Sequence, residues 1–217
     1  MSNLRTLYNK NLDLQFYHIP KNGMTTVLYG IGGFEWIPLS DLPKSAKTFC
    51  VLRDPYKRAV SSFGHFFFYE RCQNIPEQTL REFTNEKISA FLNAGFSIRG
   101  FELFLLEIKN NGIFNNHNRP QSYFLSGNQD HILTFPEQER CMYCHRSLDN
   151  IDTFYNIESL NSEFSKKHNV TNTSVKNQGL FTHEQRKLLL TAAMGQFKEI
   201  IEEIYGIDVD SYNKYIK

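Results

Sequence analysis

The segment FYHIPKNGMTTVLYG (residues 16–30) determines how the rest of the chain is interpreted. Residues 14–19 form a short apolar run that is typical of a buried β-strand. Pro20 interrupts this run, and residues 25–31 resume as a helix that can begin at a threonine cap and end at a pair of glycines. We therefore predict a strand, a short glycine-containing loop and a helix.

The loop between these two elements has the composition of an anion site. Backbone N–H groups at a helix start, together with the helix dipole, favour a negatively charged ligand. Lys21 adds a positive charge, Thr25 and Thr26 add hydroxyl donors, and Gly23 lets a ligand oxygen approach the backbone. The pattern indicates a phosphate-like ligand, although an ordinary strand-to-helix turn with a solvated lysine has the same composition.

A second segment, VLRDPYKRAVSSF (residues 51–63), has a similar organisation. Arg53 ends the predicted strand 47–53, and Asp54 with Pro55 is a favourable helix start. Ser61 lies eight residues after Arg53, about two helical turns into that helix. A guanidinium group and a hydroxyl suit a second phosphate. Two neighbouring strands that end in such turns would hold two phosphate groups at one sheet edge.

Strands alternate with helices along the chain, which predicts an α/β fold with a parallel sheet. A third strand is expected within residues 151–158, and a helix over 101–108 carries a periodic apolar face. Thr182 and Gln185 can form a capping box that opens one long final helix. Because no repeat or linker interrupts residues 1–217, we expect a single domain.

Composition narrows the classes of partner. The chain has 24 basic and 23 acidic residues, so net charge gives no reason to expect a nucleic-acid partner. No apolar run approaches the ~18 residues of a membrane span, and the N-terminus lacks a secretory pattern, so a cytoplasmic protein is expected. Cys141 and Cys144 are compatible with a zinc ligand pair, a local disulfide or two thiols. The oligomeric state is left open.

These segments resemble the carbohydrate sulfotransferases of the Golgi type. HIPKNGMTT resembles the loop that binds the 5′-phosphosulfate in that family, and VLRDPYKRAVSSF resembles its 3′-phosphate motif with the same spacing from arginine to serine. HNRPQSYFL (117–125), CMYCHRSLDNIDTFYNIESL (141–160) and NTSVKN (172–177) are weaker similarities in the same order. The resemblance covers roughly residues 14–212.

The resemblance implies the fold, the donor and the reaction. The fold would be like that of P-loop nucleoside triphosphatases, with a central parallel sheet between helices in three layers. The donor would be 3′-phosphoadenosine 5′-phosphosulfate (PAPS), without a metal, and a sulfuryl group would pass to a hydroxyl acceptor, usually a carbohydrate. Lys21–Thr26 and Arg53 with Ser61 would bind the donor, and Ser174 with Lys176 would close over its 3′-phosphate.

The sequence also differs from the family pattern. Asn22, Met24 and Thr26 stand where the family commonly has threonine or alanine, glycine and serine. The Golgi members carry a membrane anchor, and none is visible in this sequence. The chain is therefore expected to be a soluble member of microbial or viral type, or a member trimmed of its anchor.

Sulfuryl transfer needs a stabiliser of the leaving phosphate and a general base. Lys21 is the candidate for the first role. For the base, relatives commonly place a histidine or glutamate between the two phosphate motifs, which selects Glu35, beside Trp36. His117 is the second candidate because histidine has a suitable intrinsic pKa. Arg119 and Gln121 are candidates for contacts with the acceptor or the nucleotide.

Two other interpretations stay open. The first loop could bind ATP in a small kinase, although GxxxxGK[ST] places its lysine at the far end of the loop, whereas Lys21 comes first. The chain could also be an inactive relative that binds the nucleotide or a glycan without transferring sulfate.

Overall fold

The computed structural model describes residues 5–71, 90, 93–111, 118–125, 150–170 and 181–216. The chain divides into two units. Among the described residues, the first unit contains 5–53, 121–125, 150–170 and 212–216, and the second contains the others. The single domain expected from the sequence stays a prediction.

A five-stranded sheet forms the centre of the first unit. Its strands are β1 (Arg5–Asn9), β2 (Leu14–Tyr17), β3 (Glu35–Pro38), β4 (Lys47–Leu52) and β5 (Thr153–Asn156), in the order β3-β1-β2-β4-β5. Strands β2, β4 and β5 are parallel, whereas β1 runs antiparallel to both β2 and β3. The α/β class is confirmed. The expected parallel pairing is present among β2, β4 and β5, and β1 and β3 add antiparallel pairs, so the sheet is mixed.

Strands β1 and β3 have no counterpart in the sequence prediction. A short turn joins β1 to β2, and a connection of this length permits only an antiparallel pair. The Asn9 side chain shapes the turn by accepting hydrogen bonds from the amides of Asn11 (3.1 Å) and Leu12 (3.2 Å). Strand β3 then pairs with the free side of β1.

The described residues include six α-helices and two shorter helical segments. The α-helices are α1 (Pro55–Arg71), α2 (Ile98–Asn111), α3 (Gln121–Leu125), α4 (Leu160–His168), α5 (His183–Met194) and α6 (Lys198–Ile216). A π-helix covers Thr26–Ile31 and a 3₁₀ turn covers Leu39–Asp41. None of these helices is long and apolar enough to cross a bilayer.

Both faces of the sheet are covered in the first unit. Phe16, Phe49 and Val51 on one face pack in a buried cluster with residues of the π-helix and α4. Tyr17 and Cys50, which alternate with them, pack on the other face with α3 and residues 212–216. Strands β2 and β4 are buried on both faces, whereas only Tyr155 is buried in the edge strand β5. The first unit therefore has helical segments on both sides of the sheet.

The second unit is a helical assembly. Asp54 begins α1 as predicted, because its Oδ1 accepts from the amides of Tyr56 (2.9 Å) and Lys57 (3.1 Å). The apolar face of α2 is confirmed, and its residues Phe101, Phe104, Leu105 and Ile108 are buried with residues of α1, α5 and α6. This cluster is the core of the unit.

The end of the chain differs from the prediction in one respect. The Thr182–Gln185 capping box is present, with both reciprocal hydrogen bonds. The predicted single helix is two helices, α5 and α6, which separate at Gly195, where φ is −113° and ψ is −93°. Glycine tolerates this conformation at little cost, and the apolar side chains before and after it enter the same core.

Candidate functional site

The loop after β2 has an unusual backbone. Lys21 has a φ of +67°, a left-handed conformation that a non-glycine residue rarely adopts, and Gly23 has a φ of +91°. The Asn22 amide donates to the Ile19 carbonyl (3.1 Å) and closes the turn between them. Strained backbone of this kind concentrates at ligand-binding segments, and turns that include left-handed residues can form concave sites for anions.

Gly23 is required at its position for two reasons. Its positive φ is costly for any residue with a side chain. A β-carbon there would also lie 3.3 Å from the Ile157 Cδ1 atom and 3.6 Å from the Val51 Cγ1 atom. The loop therefore lies tightly against β4 and the residue that follows β5.

The helix after the loop begins close to Gly23. The Val27 amide donates to the Gly23 carbonyl at 2.9 Å, so the amides of residues 24–26 precede the first donor used inside the helix. Thr25 and Thr26 are half-buried, and the Thr25 side chain makes no capping hydrogen bond. The expected threonine cap is therefore not formed by the Thr25 hydroxyl.

Met24 does not fill the loop. It is half-buried and packs against the apolar cluster on one sheet face, together with Val27. The larger residue at this position therefore contributes to the core.

Asn22 ties the loop to the neighbouring strand. It is 0% exposed, and its Nδ2 donates to the Val51 carbonyl of β4 (2.9 Å) and to Gln121 Oε1. The backbone N–H of Asn22 also donates to the Ile19 carbonyl, so its backbone and side-chain N–H groups are bonded within the protein. The structure gives Asn22 a positioning role, and its predicted contact with the sulfuryl donor PAPS stays a prediction. Its Oδ1 has no hydrogen-bond partner within the described parts of the chain.

Arg53 links the two segments that were predicted to bind phosphate. It directly follows β4, which pairs in parallel with β2 so that Tyr17 is opposite Cys50. Its Nη1 donates to the Lys21 carbonyl at 3.2 Å. Lys21 and Arg53, predicted separately from two motifs, therefore lie at one edge of the sheet in the first unit.

Gln121, the first residue of α3, joins both segments. Its Nε2 donates to the Arg53 carbonyl (2.8 Å), its Oε1 accepts from the Arg53 amide (2.9 Å), and the same oxygen accepts from Asn22. The side chain is 2% exposed. It was a candidate for ligand contact, but here it binds protein backbone. No local pattern signals this role, because its partners lie 68 and 99 residues away.

The two base candidates have different outcomes. Glu35 is exposed on β3. It pairs with Tyr8, which pairs with Gln15 near the start of β2. Glu35 is therefore two strands away from β2 and level with the end opposite the loop. His117 lies outside the described residues.

His18, which starts the loop, is a buried residue. Burial lowers the pKa of its imidazole to about 4, so the ring is neutral at pH 7. Its ring centroid lies 5.9 Å from that of Phe16. These features indicate a core histidine directly after β2.

The remaining predicted residues lie in the second unit or outside the described residues. Ser61 is half-buried on α1 in the second unit. Ser174, Lys176 and the cysteine pair Cys141 and Cys144 lie outside the described residues. Among the residues that are described, no group of three or more histidine, cysteine, aspartate or glutamate side chains could hold a metal ion.

Comparison of the chain with models of protein families, with curated proteins and with solved structures gives no match. The function must therefore be argued from the geometry of the edge formed by the loop 18–23 and Arg53. That edge combines two cationic side chains, helix-start amides and hydroxyl groups, which are the groups that proteins use to bind phosphates.

Proposed function

We propose that the chain is a PAPS-dependent sulfotransferase that transfers a sulfuryl group to a hydroxyl acceptor, with a carbohydrate as the expected class. The observation that carries the proposal is the parallel pairing of β2 with β4, with Arg53 bonded to the Lys21 carbonyl. This arrangement gives two phosphate-binding segments a common edge, as a nucleotide with phosphates at both ends of its ribose requires. The finer proposal of a P-loop-like fold rests on the three parallel strands β2, β4 and β5.

The first segment would hold the 5′-phosphosulfate. The amides of residues 23–26 and the Lys21 ammonium group would stabilise the charge that develops on the 5′-phosphate as the bond from sulfur to the phosphate oxygen breaks. The Thr25 and Thr26 hydroxyls would supply further donors. Arg53 would hold the 3′-phosphate, with Ser61 assigned to the same group on the sequence spacing alone.

The reaction itself is a displacement at sulfur. The acceptor oxygen forms a bond to sulfur, the leaving group is 3′,5′-adenosine bisphosphate, and the acceptor proton passes to a base. Because the strand register places Glu35 at the opposite end of β2, we propose His117 as the base. His117 precedes Gln121 by four residues in the sequence, and Gln121 contacts both phosphate segments.

The exposed position of Glu35 also favours a second candidate function, in which the chain binds the nucleotide without transferring sulfate. Two measurements separate the possibilities. Titration calorimetry with 3′,5′-adenosine bisphosphate and with ATP tests the nucleotide, and a kinase would prefer ATP. Transfer of radiolabelled sulfate from PAPS to a panel of glycans tests the reaction.

For the sulfotransferase, we expect tight binding of the bisphosphate and labelled product with at least one acceptor. His117→Ala should reduce turnover ~100-fold or more, and Glu35→Gln should leave it within twofold. Binding without any transfer would favour the second candidate. Binding of neither nucleotide would refute both.

A further inference from the structure

We infer that Gln121 is a positioning residue that orders both phosphate segments at once and so links binding at the two ends of the nucleotide. The inference rests on the proposed function, because it assumes that the two segments bind the two phosphates of one ligand. Gln121 itself contacts protein groups in the structure, so its effect on a ligand would be transmitted through Asn22 and Arg53.

The hydrogen bonds of Gln121 fix the end of β4. Its amide group pairs with both the N–H and the C=O of Arg53, as a neighbouring strand would, although it belongs to a helix. This pairing holds the backbone of Arg53 one residue beyond the end of β4. Gln121 therefore fixes the backbone position from which the Arg53 side chain extends.

The same side chain fixes the first loop. Gln121 Oε1 accepts from Asn22 Nδ2, and Asn22 lies between the two residues with positive φ, Lys21 and Gly23. Asn22 also bonds to the Val51 carbonyl, so the loop, β4 and α3 meet at one buried amide. Because Asn22 and Gln121 are both almost fully buried, water cannot readily replace these bonds.

This arrangement predicts an effect that a residue of one subsite would not have. Loss of Gln121 should loosen both segments, so it should weaken a ligand that carries only a 5′-phosphate and also one that carries only a 3′-phosphate. Loss of the Lys21 ammonium group should weaken the first ligand and leave the second nearly unchanged.

The test uses adenosine 5′-monophosphate, adenosine 3′-monophosphate and 3′,5′-adenosine bisphosphate in calorimetric titrations. Gln121→Met keeps the side-chain length and removes all three hydrogen bonds. We expect it to weaken each monophosphate by about 5- to 10-fold and the bisphosphate by at least as much. Lys21→Ala should weaken the 5′-monophosphate by a similar factor and the 3′-monophosphate by less than twofold.

Gln15→Met is the matched control. Gln15 is also a fully buried glutamine with hydrogen bonds at both ends of its amide, to Thr6 and Thr48, but it lies in β2 away from the loop. It should lower thermal stability while leaving the nucleotide affinities within twofold. If Gln121→Met does not fold, Gln121→Glu, which keeps the accepting oxygen, should weaken both monophosphates by about 3-fold.

The outcomes distinguish this inference from the proposed function. If the wild type binds the bisphosphate, but the Gln121 variants bind all three nucleotides as Gln15→Met does, the inference is wrong and the proposed function stands. If the Gln121 variants weaken only one monophosphate, the residue serves one subsite and the inference is also wrong. If the wild type binds none of the nucleotides, both proposals fail.

Discussion

Replacing Gly23 with alanine tests whether the loop after β2 is the nucleotide site. At a φ of +91°, an alanine is expected to cost about 1–3 kcal/mol in backbone strain. Its β-carbon would also approach the Ile157 Cδ1 atom to 3.3 Å, a contact that the end of a flexible side chain can relieve by a small shift. If the native conformation of the loop is destabilised by about 1–3 kcal/mol relative to its other conformations, the affinity for a nucleotide that binds this conformation should fall by about 5- to 150-fold.

The assay is a calorimetric titration of Gly23→Ala with 3′,5′-adenosine bisphosphate, beside urea unfolding. Gly32→Ala is the matched control, because Gly32 also has a positive φ (+76°) but nothing within 4 Å of the position that a β-carbon would take. Gly32 lies at the other end of the same helix, so Gly32→Ala should also lower stability but leave the affinity unchanged. Bisphosphate affinity in Gly23→Ala equal to that of the wild type, with stability lost in both variants, would show that the loop does not bind the nucleotide.

Three further predictions follow from described residues. Asp54→Ala removes a side chain that accepts from two backbone amides at the start of α1, so it should lower the free energy of unfolding by ~1 kcal/mol, and an unchanged urea midpoint would contradict this. The pKa of His18 is lowered from 6.5 to about 4, so between these pH values the unfolded chain binds more protons than the folded chain. About 3 kcal/mol of stability, present above pH 6.5, should therefore be lost as the pH falls to 4. His18→Gln should remove that part of the pH dependence of urea unfolding. Lys21→Ala and Arg53→Ala should each reduce sulfate transfer from PAPS by ~100-fold or more with unchanged circular dichroism, and full activity in either variant would show that its phosphate site is misplaced.

Strands β2 and β4 could be predicted because they are short apolar runs bounded by Pro20 and Asp54. Strand β5 could be predicted because its segment, residues 151–158, alternates as a strand does. Strands β1 and β3, which make the antiparallel pairs, were missed because their apolar and polar residues alternate less clearly. The Asn-Lys-Asn stretch at residues 9–11, between two apolar runs, is the local signal that could have revealed the hairpin.

The candidate site was predictable where its chemistry is local. Arg53 stands out as a charged residue directly after an apolar strand, and Lys21 and Gly23 stand out in the short loop that follows another. The role of Gln121 depends on contacts with residues distant in sequence, and nothing within its own segment identifies it. Glu35 was selected by its position between two motifs. Its strand, β3, pairs with β1 and therefore lies at the outer edge of the sheet, two strands from β2.

The most direct test of the central claim is a crystal structure of the chain with 3′,5′-adenosine bisphosphate. We predict that the 5′-phosphate lies on the amides of residues 23–26 beside the Lys21 ammonium group and that the 3′-phosphate is bonded to the Arg53 guanidinium group. A nucleotide bound elsewhere, or one with both phosphates away from these two side chains, would contradict the claim.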